Sequence, residues 1–158
     1  MKVHSLSQEQ TIPISIKEAW SFFSSPKNLE AMTPPDMGFK IVSLPSETLY
    51  EGEIIQYSVK ALPGIWIPWI SEIKSLHEGE SFVDDQISGP FKFWHHRHSF
   101  EEIDGGTIVK DLIHYTVGFG VFGEIARALV VKKQLAKMFE HRRVVLEEKF
   151  GKTIPSLQ

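Results

Sequence analysis

The residues best suited to chemistry sit in one stretch, Lys92 to Ile103. There Trp94, His96, His98 and Phe100 alternate with Phe93, His95, Arg97 and Ser99. A strand sends alternate side chains to opposite faces. Two imidazoles bracketed by two aromatics describe an inward face, which leaves His95 and Arg97 to water. Imidazole is the side chain whose ordinary pKa lies nearest neutrality, so a pair of them on an enclosed face suits general acid–base chemistry.

Their partners come from the next strand, and the turn between the two decides which. If Gly105-Gly106 is a two-residue turn, Asp104 pairs with Thr107. Asp111 then lies across from Phe100, Ile113 from His98 and Tyr115 from His96. Asp111 is diagonal to His98 and within reach of it. A three-residue turn would instead put His114 opposite His96 and send Asp111 outward. The first register is favoured because it also buries Ile113 and Val117. On that register Asp111 raises the pKa of His98, which should hold its proton to higher pH than His96.

One reading of this group is catalytic: His96 or His98 polarised by Asp111, with Tyr115 orienting a carbonyl. The plainer reading is a buried polar network whose members satisfy one another. The plainer one is favoured, because no nucleophile or oxyanion motif accompanies the histidines. Histidines two apart with Asp111 as a third ligand could hold a metal. Spacing alone supports that weakly, and neither metal nor cofactor is expected. Arg142 interrupts an apolar helical stripe. It either meets an anionic ligand group or packs its stem and sends its head to solvent, the second being favoured.

The elements that position these groups follow from periodicity. Val3 to Ile12 reads as a strand. Ser15 with Glu18 is a capping box opening a short helix, and Ser25-Pro26 opens a second. From Phe39 the period is two, giving strands at Phe39–Leu44, Ile54–Ala61, Trp69–Leu76, Ser81–Ile87, Lys92–Ile103 and Thr107–Val117. Connections this short leave no room for crossover helices, so the sheet is antiparallel. Val121 to Phe150 carries apolar residues three and four apart and reads as one helix, about 45 Å long. The fold class is α+β, a curved antiparallel sheet of about seven strands folded over this helix. Between them a cavity of roughly 300–1,000 Å³ is expected. The apolar segment Leu62 to Trp69 reads as a hairpin loop that gates this cavity, meets a partner or folds over the core end.

Composition narrows the function classes. The 158 residues carry a net charge of −3, with 42% hydrophobic and 23% charged residues, values that fit one globular domain spanning 1–158. No basic stretch suggests nucleic acid. Without cysteine there is no disulfide, thiolate metal site or cysteine nucleophile. No signal-type segment or membrane span is read, so a cytoplasmic location is the expectation.

Gly89-Pro90-Phe91, then Trp94, His96, His98 and Phe100, followed by Gly106-Thr107, Asp111, Tyr115 and Phe139 to Arg143, resemble the START-like superfamily. This is the birch-pollen-allergen helix-grip fold, also called SRPBCC, and the chain looks closest to a bacterial cyclase/dehydrase-like ligand-binding branch. The resemblance covers nearly the whole chain. It implies a helix-grip domain with two short helices after the first strand. Its members include lipid carriers, hormone receptors and polyketide cyclases, so it leaves activity open. The first function reading is binding of a small hydrophobic molecule through Tyr57, Trp69, Trp94, His96, His98, Phe100, Tyr115, Met138 and Arg142. The second is a cyclase or dehydratase acting on a polyketide-like carbonyl with His96, His98, Asp111 and Tyr115. The third is a protein-interaction module, or a homodimer, using the Ile65–Trp69 loop.

Overall fold

The computed structural model describes residues 2–43, 46–62, 64–118 and 130–152. Strand β1 (His4–Ile12) leads into helices α1 (Ile16–Phe23) and α2 (Pro26–Ala31). Strands β2 (Phe39–Ser43), β3 (Ile54–Leu62), β4 (Ile65–His77), β5 (Ser81–Ser88), β6 (Phe93–Ile103) and β7 (Gly106–Thr116) follow, and helix α3 (Lys132–Phe150) comes last. The capping box forms as read, with the Ser15 hydroxyl accepting from the Glu18 backbone N–H at 3.3 Å. Pro26 occupies the first turn of α2, where its missing N–H costs nothing.

The seven strands make one antiparallel sheet in the order β1-β7-β6-β5-β4-β3-β2. The chain winds as a meander from β2 to β7, and β1 closes onto β7, pairing Leu6 with Ile113 and Ile12 with Thr107. Helix α3 begins at Lys132, after a π-helical turn at 130–131, and the earlier part of the helix expected from Val121 falls in 119–129, outside the described residues. In α3 the buried residues are Leu135, Phe139, Arg142 and Leu146, spaced four, three and four apart. That is the inward stripe of a period-3.6 helix, and Arg142 belongs to it rather than interrupting it.

Two expectations are corrected. The β6–β7 turn is Asp104-Gly105, not Gly105-Gly106: Ile103 pairs with Gly106 and Glu102 with Thr107. Gly105 takes a φ of +81°, which glycine adopts without a Cβ clash. The register thus differs by two residues, and side-chain parity survives. Asp111 lies opposite His98, Ile113 opposite His96, and Tyr115 opposite Trp94. Second, Ile65–Trp69 is no loop. It begins β4, with Ile65 paired to Leu62 and Trp69 to Tyr57. Pro68 is tolerated because pairing with β5 starts only at Ile70, so no ladder on that side needs its missing N–H.

Aromatic rings dominate the core. Trp20 meets Phe82 and Phe100 edge-on at 5.9 and 5.6 Å, and Phe22 meets Phe150 at 5.1 Å. A second cluster gathers Trp94, Ile113, Tyr115, Leu135 and Phe139, with Trp69, Phe91 and Met138 packed against it. His96, His98 and Asp111 lie where the two clusters meet, His98 against Phe82 of the first and His96 against Trp94 and Phe139 of the second.

Candidate functional site

The alternation of β6 falls as read. Trp94, His96, His98 and Phe100 are buried, whereas Arg97 is exposed. His95 turns to the outer face, where its Nδ1 meets Oδ1 of Asp85 at 2.7 Å. On the concave side Asp111 of β7 is 4% exposed and ties the site together through a single oxygen. Nε2 of His96 donates to Oδ1 of Asp111 at 2.8 Å, and Nη1 of Arg142 donates to the same oxygen at 2.9 Å. Nδ1 of His98 lies 3.0 Å from it but is badly aligned, and this buried nitrogen has no hydrogen bond.

Rings hold these groups in place. His98 is stacked between Phe82, at 4.4 Å and 19°, and His96, at 3.9 Å and 35°. The Arg142 guanidinium lies over Phe23 at 4.7 Å and over Phe139 at 5.8 Å. It does not send its head to solvent, because Asp111 offers a buried counter-charge that water at the rim would have to outbid.

Electrostatics follow from burial and charge. Burial opposes ionisation of Asp111. The Arg142 charge, followed by the His96 hydrogen bond and the nearby His98 ring, outweighs it and holds this carboxyl well below the usual range. His98 goes the other way from expectation. Burial, reinforced by the neighbouring His96, pushes it down to about 3 in spite of Asp111. His98 is therefore neutral at physiological pH, because burial outweighs the pull of the Asp111 carboxylate.

The remaining candidates divide between the two core clusters. Tyr115 packs on Trp94, Phe91 and His4, away from the His96–His98 pair. Met138 joins that cluster, and Phe100 lies with Trp20, Phe23 and Phe82 in the other. Tyr57 meets Phe39 in a tilted ring contact at 4.9 Å, and burial raises its hydroxyl well above the usual value, helped by Asp84 and Glu53. The indole of Trp69 meets Trp94 edge-on at 5.2 Å and donates from Nε1 to Ser71 Oγ at 3.1 Å.

Asp84 also belongs to this site, although no motif in the sequence marks it. It shares the inward parity of Phe82 on β5 and pairs directly with His96. The residue as a whole is half-buried, but its Oδ1 is shut off from water and has no partner among the described residues. Burial raises its carboxyl, partly offset by the Ser71 hydroxyl and by His96. The signal in the sequence was an acid at an inward position of an alternating strand.

The ligating atoms of His96, His98 and Asp111 lie within 4.8 Å of one another, the one group among the described residues with the spacing of a metal site. Arg142 already places a positive charge on the shared oxygen, so a dication there would face that charge at close range.

Open space is distributed differently from expectation. The cleft between α3 and the β1–β7 edge reaches Asp111 and Arg142, but it holds only about 180 Å³. Phe139, Arg142, Leu146 and the imidazole stack occupy the rest of that region. A larger depression of about 520 Å³ is an outer groove between α1 and the end of α3, lined by Ser15, Phe22, Asn28 and Lys149 among others. At the opposite end of the concave face, Trp69, Asp84, Phe91 and Met138 are only half-buried.

No protein-family model matches the chain, and no curated protein matches it. Solved structures do. Protein Ms6760 from Mycobacterium smegmatis is 18% identical with a TM-score of 0.65, covering 94% of this chain and 98% of that one. TTHA0849 from Thermus thermophilus is 18% identical with a TM-score of 0.69, covering 92% and 96%. Ara h 8.0201 is 16% identical with a TM-score of 0.57, covering 92% and 99%. With the sheet order and the gripped helix, this decides the architecture. The fold is the START-like helix-grip fold. Among the described residues no helix is long and apolar enough to cross a membrane.

Proposed function

We propose that the chain acts as a single ligand-binding domain, holding a small, largely hydrophobic molecule between the concave sheet and helix α3. The observation that carries this reading is the half-buried apolar wall of Trp69, Phe91 and Met138 on the same concave face as Asp84, whose buried Oδ1 has no hydrogen-bond partner among the described residues. Buried polar atoms are rarely left without a partner, and aromatic walls with a few convergent polar groups are the usual make-up of a ligand site.

The cyclase or dehydratase reading is the weaker one. Asp111 is pinned by two hydrogen bonds and held ionised, and His98 is pushed far below neutrality. A general base needs a pKa near the working pH, and neither group has one. A protein contact is favoured separately by Ile65 and Trp66, which are 52% and 41% exposed at the start of β4. A second copy of the chain or another protein would cover them there.

Native mass spectrometry of freshly purified protein tests the binding reading. The expected result is an added small-molecule mass that disappears on denaturation. Protein that carries no such mass, and gains none on incubation with medium-chain alcohols, would count against it.

A further inference from the structure

Asp84 occupies the middle of the concave sheet, on β5 between Ile73 of β4 and His96 of β6. Its neighbour Asp85 points to the other face and is matched there by His95 and by Lys74. Asp111 is matched by Arg142. Asp84 has no such cation among the described residues: its one polar contact is the Ser71 hydroxyl, and the groups acting on its charge are His96 and Asp85. Its Oδ1 is buried with no hydrogen-bond donor. An ionised carboxylate in that condition is costly, and the cost falls when a cation reaches it.

The surroundings of Asp84 are aromatic. Ser71, which touches Asp84, also accepts from the indole of Trp69. Trp69 in turn stands edge-on to Trp94, which meets His96 at 6.0 Å. Tyr57 is close enough for the Asp84 charge to raise its hydroxyl. A buried carboxylate beside tryptophan and tyrosine rings is the chemistry that recognises an organic ammonium group, through a charge-assisted hydrogen bond and the π faces.

We propose that the ligand of the concave face is a hydrophobic amine, its ammonium group bonded to Asp84 Oδ1 and its apolar body laid along Trp69 and Trp94. This rests on the binding reading above and names its ligand class. Neutral His98 adds no competing positive charge to the site, and the Arg142 charge is spent on Asp111.

Three probes of equal chain length test it: decylamine, decanol and decanoic acid, titrated by calorimetry at neutral pH against the wild-type chain and Asp84→Asn. Decylamine should bind the wild type about tenfold or more tightly than decanol, the margin of a charged over a neutral buried hydrogen bond. Decanoic acid should bind most weakly. Asp84→Asn should erase the amine's advantage and change decanol binding by less than about threefold. Decanoic acid binding as well as decylamine, or an amine preference that survives in Asp84→Asn, would overturn the proposal while leaving the binding reading intact. If none of the three binds, both fall. Should Asp84→Asn fail to fold, the wild-type ranking decides by itself.

Discussion

Arg142 of helix α3 donates to Asp111 of strand β7 at 2.9 Å, so the gripped helix is bonded to the concave face of the sheet, one strand in from its β1 edge, through a buried ion pair. Removing one partner of such a pair strands the other charge in the interior. Arg142→Met should therefore lower the unfolding free energy by about 3–5 kcal/mol, and Asp111→Asn by a similar amount. The double variant should lose much less than the sum, which urea unfolding of all four proteins will show. Additive losses would mean that the two side chains do not share an energy of interaction.

Acid should destabilise the protein through His98. Its folded pKa of about 3 lies below the ordinary value, so between that point and about pH 6.5 the unfolded chain takes up a proton that the fold refuses. Stability from this group is complete above the upper value and is lost as pH falls, at about 1.4 kcal/mol per pH unit. Asp111, whose carboxyl is depressed, adds a loss of the same sign, but only as pH falls below about 4. His98→Gln should remove the part of the slope between pH 6 and pH 5, measured by urea unfolding. Equal slopes in the two proteins would place His98 in contact with water.

Asp84 behaves oppositely, because burial raises its carboxyl. The fold tolerates the protonated form better, so this contribution to stability is present at low pH. It is lost as pH rises through about 3.9 toward the raised folded value. Asp84→Asn should raise the unfolding free energy at neutral pH, by on the order of 1 kcal/mol. A thermal midpoint lower than that of wild type would show that a counter-charge already serves this carboxylate.

Much of this was legible in the sequence, and the exceptions have physical causes. Alternation placed Trp94, His96, His98 and Phe100 inward, because a two-residue period has only two faces to choose from. The Asp104-Gly105 turn was misplaced by one residue, which moved the pairing by two and kept every side chain on its face. Asp111 therefore reached the site despite a wrong opposite neighbour. Arg142 was misjudged because helical spacing shows that a charge falls within an apolar stripe and not that its partner lies 31 residues earlier. The direction of the His98 shift escaped because alternation marks a histidine as inward without showing how completely it is buried, and burial is the largest influence on its pKa. Asp84 was missed because a lone acid in a strand carries no motif, only a parity.

Indole resonances test binding at the concave face most directly. The chain has four tryptophans, which sit in different places: Trp69 and Trp94 on the concave aromatic wall, Trp20 in the α1 core, and Trp66 on the outside of β4. In a titration of isotope-labelled protein with decanol, the indole N–H signals of Trp69 and Trp94 should move together and saturate. That of Trp69 should move most, since it bonds to Ser71 beside Asp84. Trp20 and Trp66 should stay in place. Movement of Trp66 alone, or no saturable movement at all, would contradict a ligand site between the sheet and helix α3.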